Sequence, residues 1–170
     1  VCLCASVCVS VSVCVCVRME VSKKIATYIY IYIYIQKIIE ENIIKMKNGV
    51  ALTDQDRMPW LKTIVSKCEH ETKIGNDLVI ACSALKKSYR SVLNDGFEHR
   101  FIHLKGDIRT IKNRMLGRDH FMPIQLIDSQ FATLETPSKD ENSISIDIKL
   151  PVNNQIEEIV SQLNLTRPVY

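Results

Sequence analysis

At 170 residues the chain is long enough for one domain with a real core, and too short for two of ordinary size. Nearly half of it is hydrophobic (46%) and a quarter charged (24%), which excludes a disordered or fibrous polymer. A net charge of +3 is too small and too dispersed to argue for a nucleic-acid partner. Five of the seven cysteines fall in the first sixteen residues, with only Cys68 and Cys82 beyond them. An odd count with no histidine near the cluster suits neither a zinc site nor a disulfide framework. Cys68 lies on a helical stripe and Cys82 in an apolar run, so both read as buried thiols of a reducing compartment, by default the cytoplasm.

The first 39 residues stand apart. VCVSVSVCVCV (7–17) and YIYIYIYI (28–35) alternate in strict two-letter steps. The longer run VCLCASVCVSVSVCVCV (1–17) sits at the low edge of the length needed to cross a membrane, and its β-branched alternation suits a strand better than a span, so no membrane association is expected. No basic segment precedes it, as a secretory signal would require. The Tyr/Ile run has no polar face at all. The genetic code offers another source, because GTG-TGT encodes Val-Cys and TAT-ATA encodes Tyr-Ile. Residues 1–39 therefore read as a low-complexity segment translated from dinucleotide repeats at a damaged or misassembled 5′ end, on a chain that opens with Val; the alternative is a selected structural element.

From Glu40 the pattern becomes ordinary. DRMPWLKTIVSKCEH predicts a helix with Pro59 in its first turn and Trp60, Leu61, Ile64, Val65 and Cys68 on one face, closed at Gly75-Asn76. DLVIACS (77–83) has the composition of a fully buried parallel strand. ALKKSYRSVLNDG predicts a helix closed by Gly96, RFIHLKG (100–106) a second strand, and DIRTIKNRMLGR a helix capped by Asp107. PIQLIDSQFATLE predicts a helix with Ile124, Ile127, Phe131 and Leu134 on one face. A loop, the strand SISIDIK and the helix VNNQIEEIVSQL complete the chain. Strands alternating with helices predict an α/β domain over 40–170, a parallel sheet covered by helices on both faces.

Three blocks in this order, EENIIKMKNGVALTDQDRMPWL, ACSALKKSYRSVL and RDHFMPIQLIDSQFATLETPSKDE, resemble the gluconokinase family of small P-loop kinases; the terminal strand and helix fit the family's end. The resemblance covers about 120 residues and implies ATP-dependent phosphorylation of D-gluconate to 6-phosphogluconate, with Mg²⁺ as cofactor. It allows a homodimer. Other small-molecule kinases of this fold lack the HFMP…SQF…LE block.

The resemblance gives particular residues a task. Arg57 follows Asp54 and Asp56 at a helix start, where a guanidinium can fork onto a polyol carboxylate. Ser83 lies at the carboxyl end of its strand, the edge at which open α/β sheets bind ligands. Lys86, Lys87 and Arg90 begin the next helix. Arg57, Ser83, Lys86 and Arg90 are thus the expected substrate-binding residues. Arg114, Arg118 and His120, on the approach to the implied lid, are expected to bind the nucleotide; Gln130 is retained by resemblance alone. The bland readings are a solvated face for the lysines, an exposed stripe for the arginines and mere helix capping for the two aspartates. Trp60, Phe121, Met122 and Phe131 read as core, and His70, His99 and His103 as structural or exposed.

What the family has and these residues lack is the G-x-x-x-x-G-K-[ST] loop whose N–H groups and Lys hold phosphates and whose hydroxyl holds Mg²⁺. The five glycines, 49, 75, 96, 106 and 117, belong to no such motif. Catalytic residues are therefore expected to be missing. Two readings follow: a gluconokinase whose front has been replaced, or a non-catalytic remnant that binds gluconate or a protein. A membrane-tethered form is the third and weakest. In the family, the strand before the phosphate loop lies mid-sheet beside the equivalent of DLVIACS. Only about ten residues join the two repeats, fewer than a parallel crossover needs. At most one of them is expected to fill that slot.

Overall fold

Buried residues run consecutively from Phe101 to Leu104. Side chains alternate across a strand, so both faces of the sheet must be covered there. That strand is β3 (His99–Lys105), and it lies inside a four-stranded sheet with β1 (Ser12–Val17), β2 (Leu78–Cys82) and β4 (Ser143–Asp147), in the order β2-β1-β3-β4. The computed structural model describes residues 12–17, 40–75, 78–95, 98–116 and 123–164, with backbone alone for 12–17, 78–79 and 81. The helices are α1 (Glu40–Lys47), α2 (Asp54–Lys73), α3 (Lys87–Leu93), α4 (Ile108–Leu116), α5 (Leu126–Thr133) and α6 (Val152–Gln162). Each expected strand and helix after Glu40 is present, and α1 is an addition to them. Among the described residues no helix is long and apolar enough to cross a membrane.

The sheet is mixed, not wholly parallel. β3 and β4 pair in parallel, Phe101 opposite Ser143 and Lys105 opposite Asp147. β1 runs antiparallel to both neighbours, with Val13 opposite Cys82 and Val17 opposite both Leu78 and His99. β2, β3 and β4 therefore share one direction and β1 alone opposes it. The Val/Cys run occupies the mid-sheet slot, so the sheet crosses the expected boundary at residue 40. It leaves that slot at the amino ends of β2 and β3. The Tyr/Ile run lies outside the described residues, as do Gly96, Phe121 and Met122.

Helix α2 begins earlier than its proline suggests. Thr53 is its cap: the Asp56 N–H donates to Thr53 Oγ1 at 3.3 Å and the Thr53 N–H to Asp56 Oδ2 at 2.9 Å, a reciprocal box. Pro59 thus lies inside the helix, past the first turn. Arg57, Leu61, Ile64 and Cys68 form its buried face, spaced by four, three and four. Gly75, at φ +80°, accepts the left-handed conformation that ends it. Asp107 caps α4 as expected, its Oδ1 accepting from the Thr110 N–H at 2.8 Å. One core joins α2, β2, α3, β3, α4, α5 and β4 through Leu61, Ile80, Leu93, Phe101, Ile111, Ile127 and Ile146.

Candidate functional site

The carboxyl end of β2 runs into a short turn before α3, and the N-terminal turn of α2 lies against it. α5 closes the third side. The cleft between them measures about 140 Å³ and is lined by Asp54 and Arg57 from α2, Lys86 and Tyr89, and Ser129 and Gln130 from α5. The aromatic ring of Tyr89 is its floor. The Arg57 guanidinium lies 5.7 Å from the ring centroid and the Lys86 ammonium 5.5 Å, both within range of attraction by the ring's negative face. The Tyr89 hydroxyl donates to Asp54 Oδ1, and Lys86 Nζ donates to both Asp54 oxygens at 2.8 and 2.9 Å.

These contacts set the charge states. Hydrogen bonding from Lys86, then from Tyr89, holds the Asp54 carboxyl below its ordinary range. The same Asp54 contact raises the Lys86 ammonium. Burial, followed by the bond to Asp54, raises the Tyr89 phenol. Asp54 is therefore an anion, Lys86 a cation and Tyr89 neutral at neutral pH. Arg57 differs from all of them. It is 7% exposed, it lines the cleft, and among the described residues no carboxylate pairs with it. A buried guanidinium facing a cleft, with only the longer-range field of Asp54 against it, is chemically suited to pair with an anion there.

The other expected residues separate. Ser83 directly follows β2, next to the buried Ala84, its carbonyl accepting from the Leu85 N–H at 2.9 Å; it belongs to the turn and is not among the residues lining the cleft. Arg90 is not at the cleft surface either. Its Nε and Nη2 donate to Glu141 at 2.6 and 3.1 Å, and Nη1 donates to the carbonyls of Ala84 and Leu85 at 2.9 and 3.1 Å. At 1% exposure this guanidinium holds the turn that carries Lys86, where the sequence had suggested a ligand contact. Arg114 Nη2 donates to the Ile148 carbonyl at 2.5 Å, just past β4 at the other edge of the sheet. Arg118 and His120 lie outside the described residues.

Three contributors escaped the sequence reading. Tyr89 ties α3 and the turn before it to α2, through Asp54, Arg57 and Lys86, which helical spacing cannot reveal. Asp54 was read as an N-terminal helix residue and proves to be the cleft's own carboxylate. The segment after α5 is tied to α3: the Glu135 N–H donates to the Leu85 carbonyl at 2.8 Å, Glu135 Oε2 accepts from the Lys87 N–H at 2.5 Å, and Asp140 accepts from Lys87 Nζ at 3.0 Å. That strap gives the LETPSKDE stretch a physical role in fixing α5 over the cleft.

Fold and cleft define an α/β domain with a cleft at the carboxyl edge of its sheet, lined by Arg57, Lys86 and Asp54. The chain is 40% identical over 124 residues to the thermosensitive gluconokinase of Escherichia coli, covering 72% of this chain and 65% of that protein. It is 38% identical over 141 residues to the probable gluconokinase of Xenopus tropicalis, covering 73% and 74%. Among solved structures it resembles a sugar kinase from Janibacter sp., unliganded (TM-score 0.71, 41% identity, 75% of each chain). It also resembles a gluconokinase from Sinorhizobium meliloti (TM-score 0.64, 36% identity, 74% and 71%). No protein-family model matches. The chain belongs to the gluconokinase family.

Proposed function

We propose that this chain carries the acceptor half of a gluconokinase site: it binds D-gluconate, the sugar acid that the family phosphorylates from ATP. The observation that carries the reading is Arg57, a buried guanidinium with no carboxylate partner among the described residues, set in a cleft with Lys86 and Tyr89. Gluconate brings one carboxylate for Arg57 and a row of hydroxyls for Asp54, Ser129 and Gln130. Arg114, with Arg118 and His120, belongs to the nucleotide side in this reading. Buried free thiols at Cys68 and Cys82 support a reducing, cytoplasmic setting. A homodimer goes with the family reading and would be measured by sedimentation.

Phosphoryl transfer by these 170 residues is proposed to be negligible. Transfer depends on charge stabilisation around the moving group, and the sequence has no G-K-[ST] to supply the lysine or the Mg²⁺-holding hydroxyl. Among the described residues no three His, Cys, Asp or Glu side chains gather to hold a metal by themselves, and Mg²⁺ in such sites comes with substrate phosphates and one or two carboxylates. β1 runs against the direction that would deliver a loop from the mid-sheet strand to the cleft edge. Calorimetric titration of the purified chain with sodium gluconate tests the reading. Binding is expected, weakened tenfold or more by Arg57→Ala, the loss of roughly one charge-assisted hydrogen bond. No binding by the unaltered chain, or equal binding by Arg57→Ala, would overturn it.

A further inference from the structure

The charges in the cleft add to a simple sum. Arg57 and Lys86 are cations, Asp54 is an anion, and the other lining residues carry no charge. The net is one positive charge, which matches a ligand with one carboxylate. Where that charge sits matters more than the total. Lys86 is neutralised by Asp54 at 2.8 Å, so the uncompensated cation is Arg57. Asp54 stands three residues before Arg57 on the same helix, about 4.5 Å along its axis. Its side chain is 60% exposed, at the mouth, whereas Arg57 is buried.

Resting on the acceptor reading above, we infer that Asp54 determines specificity by counting charges on the ligand: it accepts hydrogen bonds from the hydroxyls of a polyol monocarboxylate and repels a second carboxylate at the ligand's far end. A six-carbon acid anchored at Arg57 lays its hydroxyl chain across the Lys86–Asp54 pair. An aldonate presents neutral hydroxyls there, and an ionised carboxylate is acceptor-only, so the two are complementary. An aldarate, oxidised at both ends, presents a second acceptor-only anion instead. It meets a like charge whose neighbouring donors are mostly engaged, because two of the three Lys86 N–H groups and the Tyr89 hydroxyl already point at Asp54. Specificity here comes from a repulsive element as much as an attractive one.

The test is competitive binding of gluconate and glucarate, with sorbitol as the uncharged control, to the full chain and to three variants. The unaltered chain is expected to prefer gluconate by roughly tenfold at low salt, the size of one like-charge contact at the edge of solvent, and by less as salt is raised. Asp54→Asn should abolish that preference, since it removes the like charge and frees Lys86. Asp54→Glu should restore it. Lys86→Gln, which leaves Asp54 uncompensated, should steepen it. Gluconate bound with an equal affinity for glucarate, or a ratio unmoved by Asp54→Asn, would overturn the role of Asp54 while leaving the acceptor reading intact. Failure of the unaltered chain to bind gluconate at all would overturn both.

Discussion

Arg57 and Arg90 carry the same charge at nearly the same depth, and their partners make them opposites. Arg90 shares two hydrogen bonds with Glu141, itself 6% exposed, and two with carbonyls. Removing it strands a buried carboxylate, so Arg90→Ala is expected to lower unfolding free energy by about 3–5 kcal/mol. Arg57 has no such hydrogen-bonded carboxylate; it gives up its contact with the Tyr89 ring and the packing of its buried stem, so Arg57→Ala should cost about 1–2 kcal/mol while weakening gluconate binding. Urea unfolding of both variants checks the contrast; equal losses would contradict it. The Arg90 fork, followed by desolvation in the opposite sense, leaves Glu141 depressed to about 2. A depressed carboxyl stabilises the native state above its unfolded value and loses that contribution as pH falls through the native one, so stability should decline between about pH 4.5 and pH 2. His103, pushed down by burial, adds an earlier loss: its neutral native form is disfavoured once the unfolded imidazole protonates, below about pH 6.5. Replacing Glu141 with Gln should flatten the lower limb of the pH–stability curve and leave the upper one. Nothing in the sequence separates the two arginines, because Glu141 lies 51 residues from Arg90.

At the scale of elements, local rules were legible wherever the deciding contacts were local. The β-branched runs became strands, Asp107 became a cap and Gly75 a helix end. The start of α2 was misplaced because Pro59 suggests a first turn, whereas Thr53 and Asp56 form the capping box with Asp in place of the usual Glu. Thr53→Ala should cost about 1 kcal/mol, and by fraying the turn that carries Asp54 and Arg57 it should weaken gluconate binding as well. Matched thermal melts and titrations would show both effects together; a stability loss with unchanged binding would detach the cap from the cleft. Gly106 ends β3 under tighter constraint. A Cβ there would lie 2.7 Å from Ile148 Cγ1 and closer to Cδ1, so Gly106→Ala should destabilise by about 1–3 kcal/mol through overpacking. The direction of β1 was beyond reach of the same reasoning. Alternation announces a strand, but both alternating residues of VCVCV are apolar, and neither register nor direction follows from such a pattern.

For the whole molecule the consequence is a sheet whose second strand opposes the other three. β2 and β3 need a partner between them, since an open gap would leave buried N–H and C=O groups unsatisfied on both sides. A run of high β propensity satisfies those groups in either direction, so β1 completes the sheet while running against its neighbours. A strand that entered the slot parallel to β2 would instead end beside Cys82 and Leu104, at the edge that holds Lys86 and Tyr89. Replacing residues 1–39 with a family-like strand, phosphate loop, helix and strand should therefore raise solubility, by removing long apolar β-prone runs that template aggregation. It should also bring ATP-dependent gluconate phosphorylation from undetectable to the order of one turnover per second or more. In that restored protein, Arg57→Ala should raise KM for gluconate more than for ATP. Arg118→Ala should do the reverse, as expected of a lid residue over phosphates. Hydrogen exchange of the unaltered chain supplies the control: residues 12–17 should be protected as well as β3. If residues 28–35 prove equally protected in a monodisperse, cooperatively folding chain, both runs are structural, and replacing them should cost stability instead of solubilising the protein.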